Sequence, residues 1–255
     1  MILPRDRLGT YHLSGMLLVR TGLFLFFQGM IAFFLFMSGH GRPWRASAGW
    51  WPVTASLGSV VSILLLVRLY RREGHRYRAL FRPPRGQMRK DGAALAGVIL
   101  LLGPVAFLPN TLLARGLFGD PKAALDLLIQ PLPFWAVVIS LSLFPLTVAL
   151  SELPLYFAYV APRMEQRTGK PWLSWGTASF WLAAQHMALP FLPDPRFLLW
   201  RLGMFLPFAA MLALVLRRRP GLLPALVIIH FLMDLSTGLL VLFISQSSGI
   251  FALPG

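Results

Sequence analysis

Seven stretches run through the chain with few or no charges, at residues 21–39, 48–67, 92–114, 132–162, 172–192, 195–216 and 221–244. A bilayer hydrocarbon core of roughly 30 Å needs about 20 mostly apolar residues per helix. With no water there to satisfy backbone groups, a helix that closes its own hydrogen bonds is the natural form for such segments. The expected fold is therefore all-α, a polytopic membrane bundle of seven transmembrane helices. The first stretch begins too late and runs too long for a signal peptide, and is expected to be retained. Asp194-Pro195 and Asp120-Pro121 each combine an N-cap acid with a proline suited to the first helical position. The first pair starts the sixth helix; the second opens a short amphipathic piece at 121–129, with Lys122 and Asp126 one turn apart. That piece reads as interfacial or re-entrant, and a re-entrant placement brings the count to eight. Composition agrees: 56% of the 255 residues are hydrophobic and 13% charged, with mean hydropathy +0.66, where a soluble domain carries about 25% charged residues.

The net charge of +15 suggests a nucleic-acid partner at first sight, but the basic residues are distributed by loop. With seven crossings, one side holds Arg5, Arg7 and Arg20, the nine Lys and Arg between Arg68 and Lys90, then Arg163, Arg167, Lys170 and Arg217 to Arg219. These make 18 of the 24. The other side holds Arg42, Arg45, Arg115, Lys122, Arg196 and Arg201. Because Lys and Arg are retained on the cytoplasmic side, the expected placement is an inner (plasma) membrane, with N-terminus cytoplasmic and C-terminus outside. The basic loop 68–92 then anchors topology against membrane lipids, and no nucleic-acid partner is expected.

The chain contains no Cys, so disulfides, thiolate metal sites and thiol nucleophiles are absent. Of nine acids only Glu152 and Asp234 fall inside the apolar stretches, and of five histidines only His186 and His230. Ionised groups at mid-membrane cost about 2.5–3.5 kcal/mol each on insertion scales, so they should face one another or a wet cavity. Glu152 is 11 residues from Arg163, His186 is 16 from Lys170, and His230 and Asp234 are 11 and 15 from Arg219. At 1.5 Å per residue these offsets fall in one band, roughly 16–24 Å from the basic end, on three helices. His230 and Asp234, four apart, share a helical face. Residues of this kind suit a hydrolase, a proton relay or a structural polar network.

Ser151-Glu152-Leu153-Pro154-Leu155-Tyr156, then Leu182 to His186, then His230 to Asp234 resemble in order the motifs of the CPBP family, intramembrane proteases related to type II CAAX prenyl endopeptidases. The resemblance covers roughly residues 133–245. The family pattern is EExxxR, FxxxH and HxxxN or HxxxD. Here Ser151 stands for the first glutamate, Tyr156 for the arginine and Leu182 for the aromatic residue. The resemblance divides the chain into N-terminal helices 1–131, a catalytic-core region 132–245 and a tail 246–255. It implies a membrane peptidase in which a glutamate activates water. Glu152 is then the general base, His186 orients the water, His230 donates to the oxyanion and Asp234 orients His230. It also implies a peptide or lipidated protein as substrate.

Glu152, His186 and His230 also have the donor chemistry of an open zinc site. HExxH is missing, however, and a glutamic mechanism needs no metal, so no cofactor is expected. Arg201 is the candidate for binding a substrate carboxylate bidentately. Two alternatives stay open: an inactive relative that binds membrane peptides, suggested by Ser151 and Tyr156, and a proton-coupled transporter, suggested by acids and histidines at mid-membrane depth.

Overall fold

Helices alone carry the described chain. The computed structural model describes residues 10–82 and 87–248, and these contain no strand. The helices are α1 (Thr10–Met37), α2 (Pro43–Ala48), α3 (Trp51–Arg72), α4 (Gln87–Phe118), α5 (Pro121–Leu128), α6 (Phe134–Leu141), α7 (Leu143–Leu153), α8 (Ala161–Thr168), α9 (Pro171–Ala184), α10 (Pro195–Arg218) and α11 (Leu223–Ser247). Residues 1–9 with Arg5 and Arg7, residues 83–86 of the basic loop and residues 249–255 of the tail lie outside the described residues.

Among the described residues, six segments are long and apolar enough to cross a membrane: His12–Met37, Trp51–Arg72, Asp91–Phe118, Phe134–Thr168, Pro195–Arg218 and Pro220–Ser247. The molecule is inside-out relative to a soluble domain. Phe26, Phe34, Leu64, Leu100, Phe107, Leu112 and Phe243 are each more than half exposed, while Arg20, Ser59, Ser151 and Gln185 are fully buried. The expected segment 172–192 departs from this pattern. Its α-helix stops at Ala184, tightens to a 3₁₀ turn over Gln185–Ala188 and continues without helix to Asp194. Leu189 precedes Pro190, a position that disfavours helical backbone, and Pro193 follows; so an apolar run of spanning length is not one long helix.

Three ion pairs tie together loops that are far apart in sequence. Arg163 is held by Glu73, Arg219 by Asp91 at 2.5 Å, and Arg217 by Glu165 at 3.2 Å. The ends of α3, α8 and α10 and the start of α4 thus meet at one end of the bundle, with His12 near by through Tyr159. At the opposite end Gln28 of α1 and the Phe191 backbone exchange hydrogen bonds of 3.0 and 2.7 Å. There too the Ser245 hydroxyl near the end of α11 accepts from the Leu132 N–H.

The run 134–168 is continuous in direction but broken in hydrogen bonding. Pro145 has no N–H for the Leu141 carbonyl, and α6 passes to α7 through Ser142 at φ −115°. Pro154 likewise frees the Leu150 carbonyl. A π-helical turn spans Pro154–Val160, and the Tyr77 hydroxyl donates to Leu150 O in place of the missing amide. The 3₁₀ turn Tyr77–Phe81 of the basic loop therefore folds back onto the bundle. Gly238 lets α11 lie against the α6–α7 break, because a Cβ there would collide with the Ser140 carbonyl. These irregularities carry the two acids and two histidines toward one another.

Candidate functional site

Glu152 is the penultimate residue of α7, two positions before the π turn, and is 4% exposed. Irregular turns of this kind inside helices recur at functional sites. Its two carboxylate oxygens have different surroundings. Oε2 accepts from Gln185 Nε2 at 2.6 Å and lies 3.5 Å from an Arg20 nitrogen and 3.8 Å from His186 Nε2. Oε1 faces His230 Nε2 at 3.7 Å. His230 Nε2 is in turn 3.4 Å from Asp234 Oδ2 on the next turn of α11. The four ionisable residues singled out in the sequence are thus drawn together from α7, the 3₁₀ turn after α9, and α11.

Arg20 is the residue that sequence reasoning put elsewhere. The distribution of charge places it among the basic residues flanking the first span, but α1 begins ten residues earlier and buries it completely. Its Nε donates to Gln185 Oε1 at 2.7 Å, and its terminal nitrogens reach Ser59 at 3.1 Å, Ser151 at 2.5 Å and Glu152. A buried cation is tolerable when its charge is paired and its donors are used, and both hold here. A signal was present: Leu13, Leu17, Phe24 and Gln28 are all buried, and with Arg20 they form an i, i+3, i+4 stripe. Arg20 lies on that inward face.

Gln185 links the cluster. Tyr156 OH donates to its Oε1 at 3.3 Å, so with Arg20 on the same oxygen the amide nitrogen is turned to Glu152. Ser151 and Tyr156 are both bonded into this network.

His186 has its tautomer set by its surroundings. Nδ1 is 2.9 Å from the Leu182 carbonyl, which can only accept, so in the neutral ring Nδ1 carries the proton and Nε2 presents its lone pair to Glu152. The ring is stacked on Phe205 of α10, centroids 3.6 Å apart.

Arg201 lies close by but is engaged differently from the expectation. It is 3% exposed; its Nε donates to the His186 carbonyl at 3.2 Å and another nitrogen to the Leu189 carbonyl at 2.7 Å. It thereby caps carbonyls at the end of the helical turn, the His186 carbonyl also accepting from the Leu189 N–H at 3.2 Å. Two buried atoms of the cluster, His230 Nδ1 and Asp234 Oδ2, have no hydrogen-bond partner. Oδ2 lies within ion-pair distance of His230 without hydrogen-bond geometry.

Among the described residues, no group of three or more His, Asp or Glu is arranged to hold a metal ion. No family model matches the chain, and neither a curated protein nor a solved structure does.

Proposed function

We propose that the chain is an intramembrane endopeptidase similar to CPBP proteases, hydrolysing a peptide bond of a membrane-associated or lipidated protein substrate with water activated by Glu152. One observation carries this reading. The Nε2 atoms of His186 and His230 face Glu152 at 3.8 and 3.7 Å, beyond direct hydrogen-bond distance but close enough for one water to reach both partners of either pair. Gln185 and Arg20 fix Oε2, which leaves Oε1 on the His230 side to take a proton.

In the reaction, water held at the Glu152 carboxylate, with His186 Nε2 beside it to accept its second hydrogen, attacks the carbonyl carbon as Glu152 removes its proton. His230 donates from Nε2 to the oxyanion, a contribution of about 3–4 kcal/mol for one positioned donor. Asp234, adjacent on α11, orients the His230 ring. Glu152 then returns the proton to the leaving amine as the C–N bond breaks. Arg201 shapes the turn bearing His186 by holding its carbonyl, in place of the substrate contact expected of it.

The same proposal includes seven crossings of an inner membrane, with a cytoplasmic N-terminus. Supporting it, the loops rich in Lys and Arg are joined by ion pairs at one end, and the chain from Pro171 to Asp194 starts at that end and finishes near Gln28 at the other. Helix α5, eight residues or about 12 Å long, is too short for an eighth crossing. Because the chain has no Cys, Ser38→Cys and Arg167→Cys provide single labelling sites at the two ends. An impermeant reagent applied to intact cells should reach only the first, and the reverse pattern inverts the topology.

The activity is tested with protein purified in nanodiscs and a lipidated or transmembrane peptide, comparing wild type, Glu152→Gln and His230→Ala. Equal cleavage by all three removes the assignment. A second reading, a relative that binds peptides without cutting them, is favoured by Ser151, whose hydroxyl is engaged by Arg20. An inert wild type together with an active Ser151→Glu variant would select it.

A further inference from the structure

At the end of the bundle away from the basic loops, a cleft of about 460 Å³ opens between α2, α5 and the start of α10. Its walls include Arg42, Trp44, Arg45, Leu127, Leu192 and Asp194. Three observations bear on what it takes. First, Arg42 and Arg45 are exposed and have no acidic partner among the described residues. The acid in the cleft is already engaged: Asp194 accepts from the Arg196 N–H at 2.8 Å and pairs with its side chain at 3.6 Å. That amide bond holds the Asp194 carboxyl below its usual range, so it remains ionised and matched to Arg196. The cleft therefore presents two cations for which the protein supplies no counter-charge.

Second, the remaining wall is apolar, with Leu127 on α5 and Leu192 opposite it. Third, tryptophans lie on and just after the helix that walls the cleft, Trp44 on α2 and Trp50 beyond its end. Trp44 Nε1 donates to Phe191 O at 3.1 Å, and Trp50 and Trp135 pack with ring centroids 5.2 Å apart. Tryptophan at such positions marks the headgroup region of a bilayer. Amphipathic α5, with its exposed Lys122–Asp126 pair, suits the same level.

We infer that this cleft binds an anionic phospholipid, its phosphodiester held by Arg42 and Arg45 and its glycerol and upper acyl chain lying over Leu127 and Leu192. The two guanidinium groups supply the charge-assisted donors that phosphate oxygens require. A soluble anion would satisfy the arginines but leave the apolar wall in water; a zwitterionic lipid would satisfy the wall but bring a cation beside two others. The inference depends on membrane insertion and not on the peptidase reading.

The test is photolabelling of the full chain in nanodiscs with a photoreactive phosphatidylglycerol, mapped by peptide mass spectrometry. Labels are expected in residues 120–130 and 186–196. They should be displaced by unlabelled phosphatidylglycerol, and not by phosphatidylcholine or inorganic phosphate at equal concentration. The Arg42→Gln/Arg45→Gln variant should weaken that labelling roughly thirtyfold, from about 1 kcal/mol for each cation near a lipid surface. Labelling of residues 68–82 at the basic end should be unchanged, which separates the cleft from general attraction to cationic loops. The Arg42→Lys/Arg45→Lys variant keeps the charge and should keep the labelling, providing a second comparison if the glutamine variant folds poorly. Equal labelling of the cleft by wild type and the glutamine variant overturns the inference, as does loss of labelling in the lysine variant. Displacement by inorganic phosphate would make this a soluble-anion site, and equal displacement by phosphatidylcholine would remove the requirement for an anionic headgroup; either result overturns the lipid assignment.

Discussion

On one side of Glu152 the polar groups are used up; on the other they are not. Arg20 makes contacts with Gln185, Ser59, Ser151 and Glu152, and Gln185 accepts from Arg20 and Tyr156 while donating to the acid. Toward α11, His230 Nδ1 and Asp234 Oδ2 are buried without hydrogen-bond partners, and His230 stands off from the carboxylate. A satisfied buried network rigidifies a structure, whereas a buried polar atom without a partner costs stability. The difference separates a scaffold that holds one carboxylate oxygen from a face whose polar atoms are left without partners. In the proposed reaction it is this second face that meets water and substrate.

The comparison is broken most directly at Arg20. Arg20→Leu strands Glu152 beside an apolar side chain, and removing one partner of a buried pair costs about 3–5 kcal/mol. The expected outcome is a large fall in melting temperature or loss of folded protein on size exclusion; an unchanged melt would mean that Arg20 is no scaffold. On the open side, Glu152→Gln should lower cleavage by between about a hundredfold and ten-thousandfold. Asp234→Asn should lower it about tenfold and shift stability by less than about 1 kcal/mol, since Oδ2 has no hydrogen bond to lose. If Asp234→Asn instead unfolds the protein, the division into scaffold and open face is wrong.

Smaller effects sharpen the boundary. Tyr77→Phe leaves the Leu150 carbonyl without its donor, at a cost of about 1–3 kcal/mol measurable by thermal melting. A neutral result would show that the loop's 3₁₀ turn does not support the π turn. Lys122→Ala removes an exposed i, i+4 pair and should change stability by less than about 0.5 kcal/mol. A larger change would give α5 a packing role that its exposed polar face does not suggest.

Much of the fold was legible because the bilayer restricts the options. Apolar length reports a helix wherever a segment must close its own hydrogen bonds, and Asp120-Pro121 and Asp194-Pro195 mark helix starts whose caps are present at Lys122 and Arg196. Residues 172–192 show where that logic fails: hydropathy measures apolarity, and does not register the change to a 3₁₀ turn before Pro190. The same limit hid Arg20. A charge near the edge of an apolar window is assigned to the loop by convention, although the stripe from Leu13 to Gln28 continues through it.

The amino-acid order alone determined an all-helical membrane chain, its asymmetry of basic residues, and the short list of Glu152, His186, His230 and Asp234, because charge in hydrocarbon is costly enough to be rare. Only the tertiary structure decided how these four are connected. It brought Arg20, Gln185 and Tyr156 to one oxygen of Glu152, left the other facing His230, and assigned Arg201 to the His186 turn. Those outcomes depend on the breaks in helical hydrogen bonding at Pro145 and Pro154 and on the close approach at Gly238, where small backbone departures set which side chains meet. Spacing along a helix specifies a face, whereas the partner of that face is set by how separate helices pack.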